Sequence, residues 1–120
     1  MTIRCVIVDD SDRFRASARR LLATQGIAVV ATAADSRQAL RAVEEQKPDV
    51  VLVDVGLGTE SGFELAARIR RSRVIMVSSL DREDLAELLA DSPAIGYLPK
   101  DQLSGCAITY LLRRTPLPKT

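Results

Sequence analysis

The stretch DVVLVDVGLG, residues 49–58, is a run of four apolar residues, Val50 to Val53, that ends on a carboxylate, Asp54. A short continuous apolar run reads as a strand covered on both faces. The acid at its end either opens a turn or is a reactive group held at the rim of a sheet. What stands at the ends of the other strands decides between the two.

Four runs of the same kind accompany it: Ile3–Val8, Ala28–Ala33, Val74–Val77 and Ile95–Leu98. Segments with helical spacing lie between them. Ser11–Thr24 places Phe14, Ala18, Leu21 and Leu22 on one face, and Ser36–Glu45 carries Leu40 and Val43. Ser61–Arg71 carries Phe63, Ala67 and Ile69, and Asp81–Ala90 carries Leu85, Leu88 and Leu89. Gln102–Arg113 carries Leu103, Ala107 and Leu111. Gly26, Pro48 and Pro93 punctuate the helix ends. Strict alternation predicts an α/β fold with parallel strands, right-handed crossovers and helices on both faces. Its natural closure is a flavodoxin-like, doubly wound five-stranded sheet in the order 2-1-3-4-5. Pro99 then ends an edge strand, where a missing N–H is tolerated. Residues 1–114 are expected to form one domain, and 115–120, TPLPKT, a linker or the cut end of an excised domain.

At 120 residues, 47% apolar and 28% charged, the chain is expected to bury a globular core. A net charge of +1 gives no general reason to expect nucleic acid or an anionic membrane as partner. No apolar run approaches the roughly 18 residues of a membrane span, and Met1-Thr2-Ile3-Arg4 lacks a signal peptide's layout, so a soluble, cytoplasmic protein is expected. The absence of histidine excludes Ser-His and Cys-His nucleophile systems, histidine-ligated zinc and a phosphohistidine donor. Cys5 and Cys106, in apolar surroundings and outside any metal or redox spacing, are expected to be buried thiols.

In open parallel sheets ligands bind beyond the carboxyl ends of the strands. After the first strand come Asp9 and Asp10, after the third Asp54, after the fourth Ser78 and Ser79, and after the fifth, past Pro99, Lys100. Each has an ordinary explanation alone: a helix cap, a turn residue, a solvated strand-end lysine. Four strand ends delivering complementary groups to one rim argue for a site. Clustered carboxylates raise one another's pKa unless a cation joins them, and an all-oxygen set suits Mg²⁺. A magnesium ion, a lysine and a serine hydroxyl around one carboxylate are what a phosphoryl group on that carboxylate needs. Asp54 is then the nucleophile that forms an acyl phosphate, and Gly56 and Gly58 leave backbone room beside it.

The segments VIVDDS, DVVLVDV followed by SGFEL, VIMVSS and GYLPKDQL, in this order and on these strand ends, resemble the receiver domain of bacterial two-component response regulators over nearly the whole chain. The resemblance implies that Asp54 accepts a phosphoryl group from a histidine kinase. It implies that Asp10 is the direct Mg²⁺ ligand, with Asp9 as its companion through water. Asp54 and the backbone carbonyl of Gly56 complete the metal set. Ser78 is then the hydroxyl that turns toward the phosphoryl oxygen, and Lys100 the lysine that pairs with it. Tyr97 is the aromatic whose rotamer follows Ser78 and reshapes the face of the fourth helix, fifth strand and fifth helix. A homodimer through that face is expected from its charges, with Asp81, Glu83, Asp84, Glu87 and Asp91 of the fourth helix against Arg113 and Arg114 of another copy. A C-terminal DNA-binding output domain absent from this chain is a further expectation of the resemblance. The domain is not expected to be an enzyme beyond phosphorylation and dephosphorylation of its own Asp54.

The sequence departs from the family at Gly58, where many receivers have proline, and after Lys100, where Asp101 replaces the usual proline. The path from Asp54 to Ser78 is also shorter than expected, by more than a helical turn. The alternative reading is a phosphate-independent pseudo-receiver that keeps the fold as an interaction module. The intact set Asp9, Asp10, Asp54, Ser78 and Lys100 weighs against it. A flavoprotein or nucleotide enzyme on the same sheet lacks its G-x-G-x-x-G spacing or Walker lysine in GLGTESG.

Overall fold

Residues 2–80 and 82–114 are described by the computed structural model. Asp81, the expected first residue of the fourth helical segment, and the expected 115–120 tail lie outside the described residues. The chain alternates β1 (Ile3–Val8), α1 (Asp12–Thr24), β2 (Ile27–Ala33), α2 (Ser36–Gln46) and β3 (Val50–Asp54). It continues through α3 (Gly62–Arg68), β4 (Arg73–Ser78), α4 (Ala86–Asp91), β5 (Gly96–Pro99) and α5 (Gly105–Arg114). The five strands form one parallel sheet in the order β2-β1-β3-β4-β5, the doubly wound arrangement expected from the alternation. Among the described residues no helix is long and apolar enough to cross a membrane.

Successive strand residues point to opposite faces, and the core is divided accordingly. Val6, Val8, Val51, Val53, Val74 and Met76 pack with α2, α3 and α4 on one face. Cys5, Ile7, Val50, Leu52, Ile75 and Val77 pack with α1 and α5 on the other. Each fully buried Val, Ile or Leu contributes on the order of 1.5–3 kcal/mol, so the central strands carry much of the stability. Side-chain caps set the helix starts. Ser11 Oγ accepts from Phe14 N at 3.2 Å, Asp35 Oδ1 from Gln38 N at 2.9 Å and Ser61 Oγ from Glu64 N at 3.4 Å.

Several expectations are corrected. α3 ends at Arg68 rather than Arg71, because Ile69 leaves the helix in an extended conformation and drives its side chain into the core. The fourth helical segment begins as a single 3₁₀ turn, Arg82–Leu85, and only Ala86–Asp91 is α-helical. Leu21 and Leu88 are exposed, since a neighbour one residue on is turned by about 100° and only Leu22 and Leu89 face inward. Ala67 is exposed, and Leu65 and Ala66 fill the core instead. Cys106 is exposed on the outer side of α5, whereas burial pushes the Cys5 thiol up to about 12 and leaves it unreactive.

Between β3 and α3 a two-residue antiparallel ribbon, Gly56–Leu57 against Glu60–Ser61, turns through Gly58 and Thr59. Gly58 has φ +67°, as a tight primed turn requires, and proline's fixed negative φ cannot reach that value. α3 then begins so close to β3 that a Cβ on Gly62 would lie 1.9 Å from the Asp54 carbonyl oxygen. Gly62→Ala is therefore expected to cost about 2–4 kcal/mol of unfolding free energy in urea titrations, far above an ordinary loop substitution.

Candidate functional site

Each polar strand end arrives by a separate backbone route. Asp9 leaves β1 with its N–H donating to Ala33 O at 3.0 Å, and its side chain is fully buried. Asp54 is the last residue of β3, in register with Val77, and the following N–H of Val55 donates to Val77 O at 3.0 Å. Ser78 ends β4, and Lys100 follows directly on β5. Asp10, next to buried Asp9, is exposed.

The carboxylates of Asp9, Asp10 and Asp54 each offer an oxygen within 4.8 Å of the others. Lys100 Nζ sits between two of them, 2.7 Å from Asp9 Oδ2 and 3.3 Å from Asp54 Oδ2. The remaining oxygens are held by the backbone. Asp9 Oδ1 accepts from Ser11 N at 2.8 Å, and Asp54 Oδ1 from Gly56 N at 3.4 Å. Burial, then the neighbouring Asp9 charge, raises the Asp54 pKa to about 6 against the partial relief from Lys100. Burial disfavours charge on Lys100 too, but the contacts and charges of Asp9 and Asp54 outweigh it and raise its pKa. The lysine stays protonated.

Sequence reasoning missed four supports of this site. The Phe14 ring lies 4.4 Å from Lys100 Nζ and offers its π face to the ammonium. Arg15 Nη1 donates to Asp9 O at 2.6 Å and also pairs with Asp12. Glu60 Oε1 accepts from Ser36 N at 2.9 Å, tying the ribbon beside Asp54 to the start of α2. The fourth is Gly62. Phe14 and Arg15 sit one helical turn beyond Asp10 and Ser11, a spacing that could have flagged them; the Glu60–Ser36 bond has no sequence signal.

Leu80 joins the other two expected site residues. Its N–H donates to Ser78 Oγ at 3.0 Å, and its carbonyl accepts from the Tyr97 hydroxyl, which also approaches Ser78 O at 3.4 Å. Tyr97 is buried, not half-exposed as an edge position alone suggests. Among the described residues no peptide bond is cis, and Lys100 leads into a short 3₁₀ turn, Lys100–Gln102.

The donor set fits a hard cation. It is all oxygen, it crowds three carboxylates, and Asp9 Oδ2 is buried with no aligned hydrogen-bond donor apart from its ion pair with Lys100.

A family model described as the response regulator receiver domain matches residues 5–108. The response regulator GacA of Pseudomonas viridiflava is 34% identical over 103 residues, covering 82% of this chain and 48% of that protein. A LuxR-family two-component response regulator from Aurantimonas superposes with a TM-score of 0.85 at 31% identity, over 95% of this chain and 87% of the other. The signal receiver domain of NarL from Mycobacterium tuberculosis gives a TM-score of 0.84 at 27% identity, over 95% and 98%. The chain belongs to the response regulator receiver family, the signalling domains of two-component systems. It spans about half the length of the curated relatives it matches.

The raised Asp54 pKa has a consequence for stability. From the ordinary value of 3.8 to about 6 the folded state holds a proton that the unfolded chain has released, so stability falls as pH rises through that window. Asp54→Asn in metal-free buffer is expected to raise the unfolding free energy at pH 7.5 by about 1–2 kcal/mol, and to give no gain at pH 4. Urea titrations at the two pH values check it.

Proposed function

We propose that this receiver, taken as residues 1–114, accepts a phosphoryl group on Asp54 from a histidine kinase's phosphohistidine and switches an interaction surface in response. The observation that carries the reading is the placement of Lys100 Nζ between Asp9 and Asp54, with the Asp54 side chain only 12% exposed. An ion pair needed only for folding has no use for a third carboxylate, Asp10, exposed beside it.

An Asp54 carboxylate oxygen attacks phosphorus, the phosphorus–nitrogen bond breaks, and the electron pair stays on the donor's imidazole. The product is an acyl phosphate on Asp54. Asp9, Asp10, Asp54 and the Gly56 carbonyl would hold Mg²⁺, which when bound neutralises charge on the phosphoryl oxygens. Lys100 keeps the nucleophile oriented and offers a second positive charge to the phosphoryl group. Asp9 anchors that ammonium from the buried side.

Ser78 would release Leu80 N when its hydroxyl turns to a phosphoryl oxygen. Because the Tyr97 hydroxyl is bonded to the carbonyl of the same Leu80, a change at Ser78 reaches Tyr97 through one residue. The face of α4, β5 and α5 is where the change would be read, by an output domain or by a second receiver. Relatives named transcriptional regulatory proteins support a C-terminal output that acts on transcription, for which a DNA-binding domain joined through 115–120 is the proposal. The activity is confined to phosphorylation and hydrolysis at Asp54, and a cytoplasmic location follows from a histidine kinase partner.

Intact mass after incubation with Mg²⁺ and acetyl phosphate is the direct test. One added phosphoryl group is expected, absent in Asp54→Ala and without Mg²⁺. No adduct at any donor concentration would favour the phosphate-independent module instead.

A further inference from the structure

At the amino end of the sheet, away from the carboxylates, the last turns of α2 and α3 and the segment before β4 frame a cavity of about 540 Å³. Its floor is apolar, from Leu40, Val43 and Ile69. Its rim is basic: Lys47, Arg68, Arg70 and Arg71 face a single carboxylate, Glu44. All four cations are exposed, and among the described residues none has an ion-pair partner. Lys47 caps the end of α2 in the left-handed conformation, φ +47°, just before Pro48.

The chain carries a complementary surface of its own. The fourth helical segment turns Leu85 and Leu89 inward and presents Glu83, Asp84, Glu87 and Asp91 to solvent. Leu88 stands among these acids, 53% exposed, although it is large and apolar. A leucine ringed by carboxylates matches a groove with an apolar floor and a basic rim. A nucleic acid would satisfy the rim alone and leave the floor unused, so the floor selects a protein segment.

We propose that the α2–α3 groove binds the acidic α4 segment of a second copy of this chain, with Leu88 on the floor and its carboxylates against Arg70 and Arg71. Each copy offers one groove and one helix, so the contact is head to tail and differs from a dimer in which two α4 faces meet. A helix of so few turns buries less than the roughly 1,000 Å² of a stable interface, and its ion pairs are exposed. The association is therefore weak and salt-sensitive. The proposal rests on the groove and the exposed α4 surface, not on the reading of Asp54 as a phosphoacceptor.

Sedimentation velocity across about 10 µM to 1 mM, at low salt and at about 0.5 M salt, tests it. The wild-type sedimentation coefficient is expected to rise with concentration at low salt and to stop doing so at high salt. Arg70→Glu with Arg71→Glu, and separately Glu87→Lys with Asp91→Lys, should each be monomeric. Mixing the two variants should restore association, because each supplies the surface that the other has lost. The neutral change Leu88→Ser should abolish association as well, and circular dichroism confirms that each variant is folded. A wild-type chain that stays monomeric overturns the proposal. So does a groove reversal without effect beside a helix reversal that dissociates the protein, which is the signature of paired α4 faces. A mixture that remains monomeric overturns it too.

Discussion

Asp9 is a fully buried carboxylate, and the contact that offsets its burial comes from Lys100, 91 residues further along the chain. A buried charge stripped of its partner costs several kcal/mol, so the fold is constrained to bring the end of β5 to the end of β1. With β3 and β4 between them, the strand ends form a shallow rim on which Asp54 and Ser78 stand between the acid and the amine. The electrostatic cost that remains falls on Asp54, the least buried of the bridged pair, and leaves it the group most in need of a further cation.

The two loops that flank Asp54 are held differently. On one side the Gly56–Ser61 ribbon, the Gly62 approach and the Glu60–Ser36 bond leave the acceptor's backbone little freedom. On the other side the loop after β4 is fastened by two hydrogen bonds to one residue, Leu80, whose own side chain is half exposed. One bond of that pair is to a serine hydroxyl, which rotates at small cost. A rigid acceptor beside an exchangeable latch is the arrangement a phosphate-driven change calls for.

A net charge of +1 conceals a strong separation. Acids gather at the carboxyl rim and on the fourth helical segment, and arginines gather around the groove at the opposite end. Whole-chain charge therefore says little about partners here. The local pairing of apolar floor with basic rim, and of exposed leucine with acids, says more.

The strands were readable because each is covered on both faces and so is apolar throughout, a pattern that needs no tertiary information. Rim residues were readable for a related reason: strand ends are where continuous burial stops, and the parallel order brings those ends together. Helix edges and exposures were less so. Leu21 and Leu22, or Leu88 and Leu89, are alike in composition, and only packing against the sheet decides which of two adjacent leucines turns inward. The exposure of Cys106 and the early end of α3 at Ile69 have the same origin. By itself, then, the order of residues determined the alternation of elements, the sheet order and the identity of the polar groups at its rim. The tertiary structure decided the rest: which oxygen Lys100 touches, the ring of Phe14 beside it, Glu60 on the start of α2 and Leu80 between Ser78 and Tyr97. Most of those contacts join residues far apart along the chain, through geometry that no local periodicity encodes.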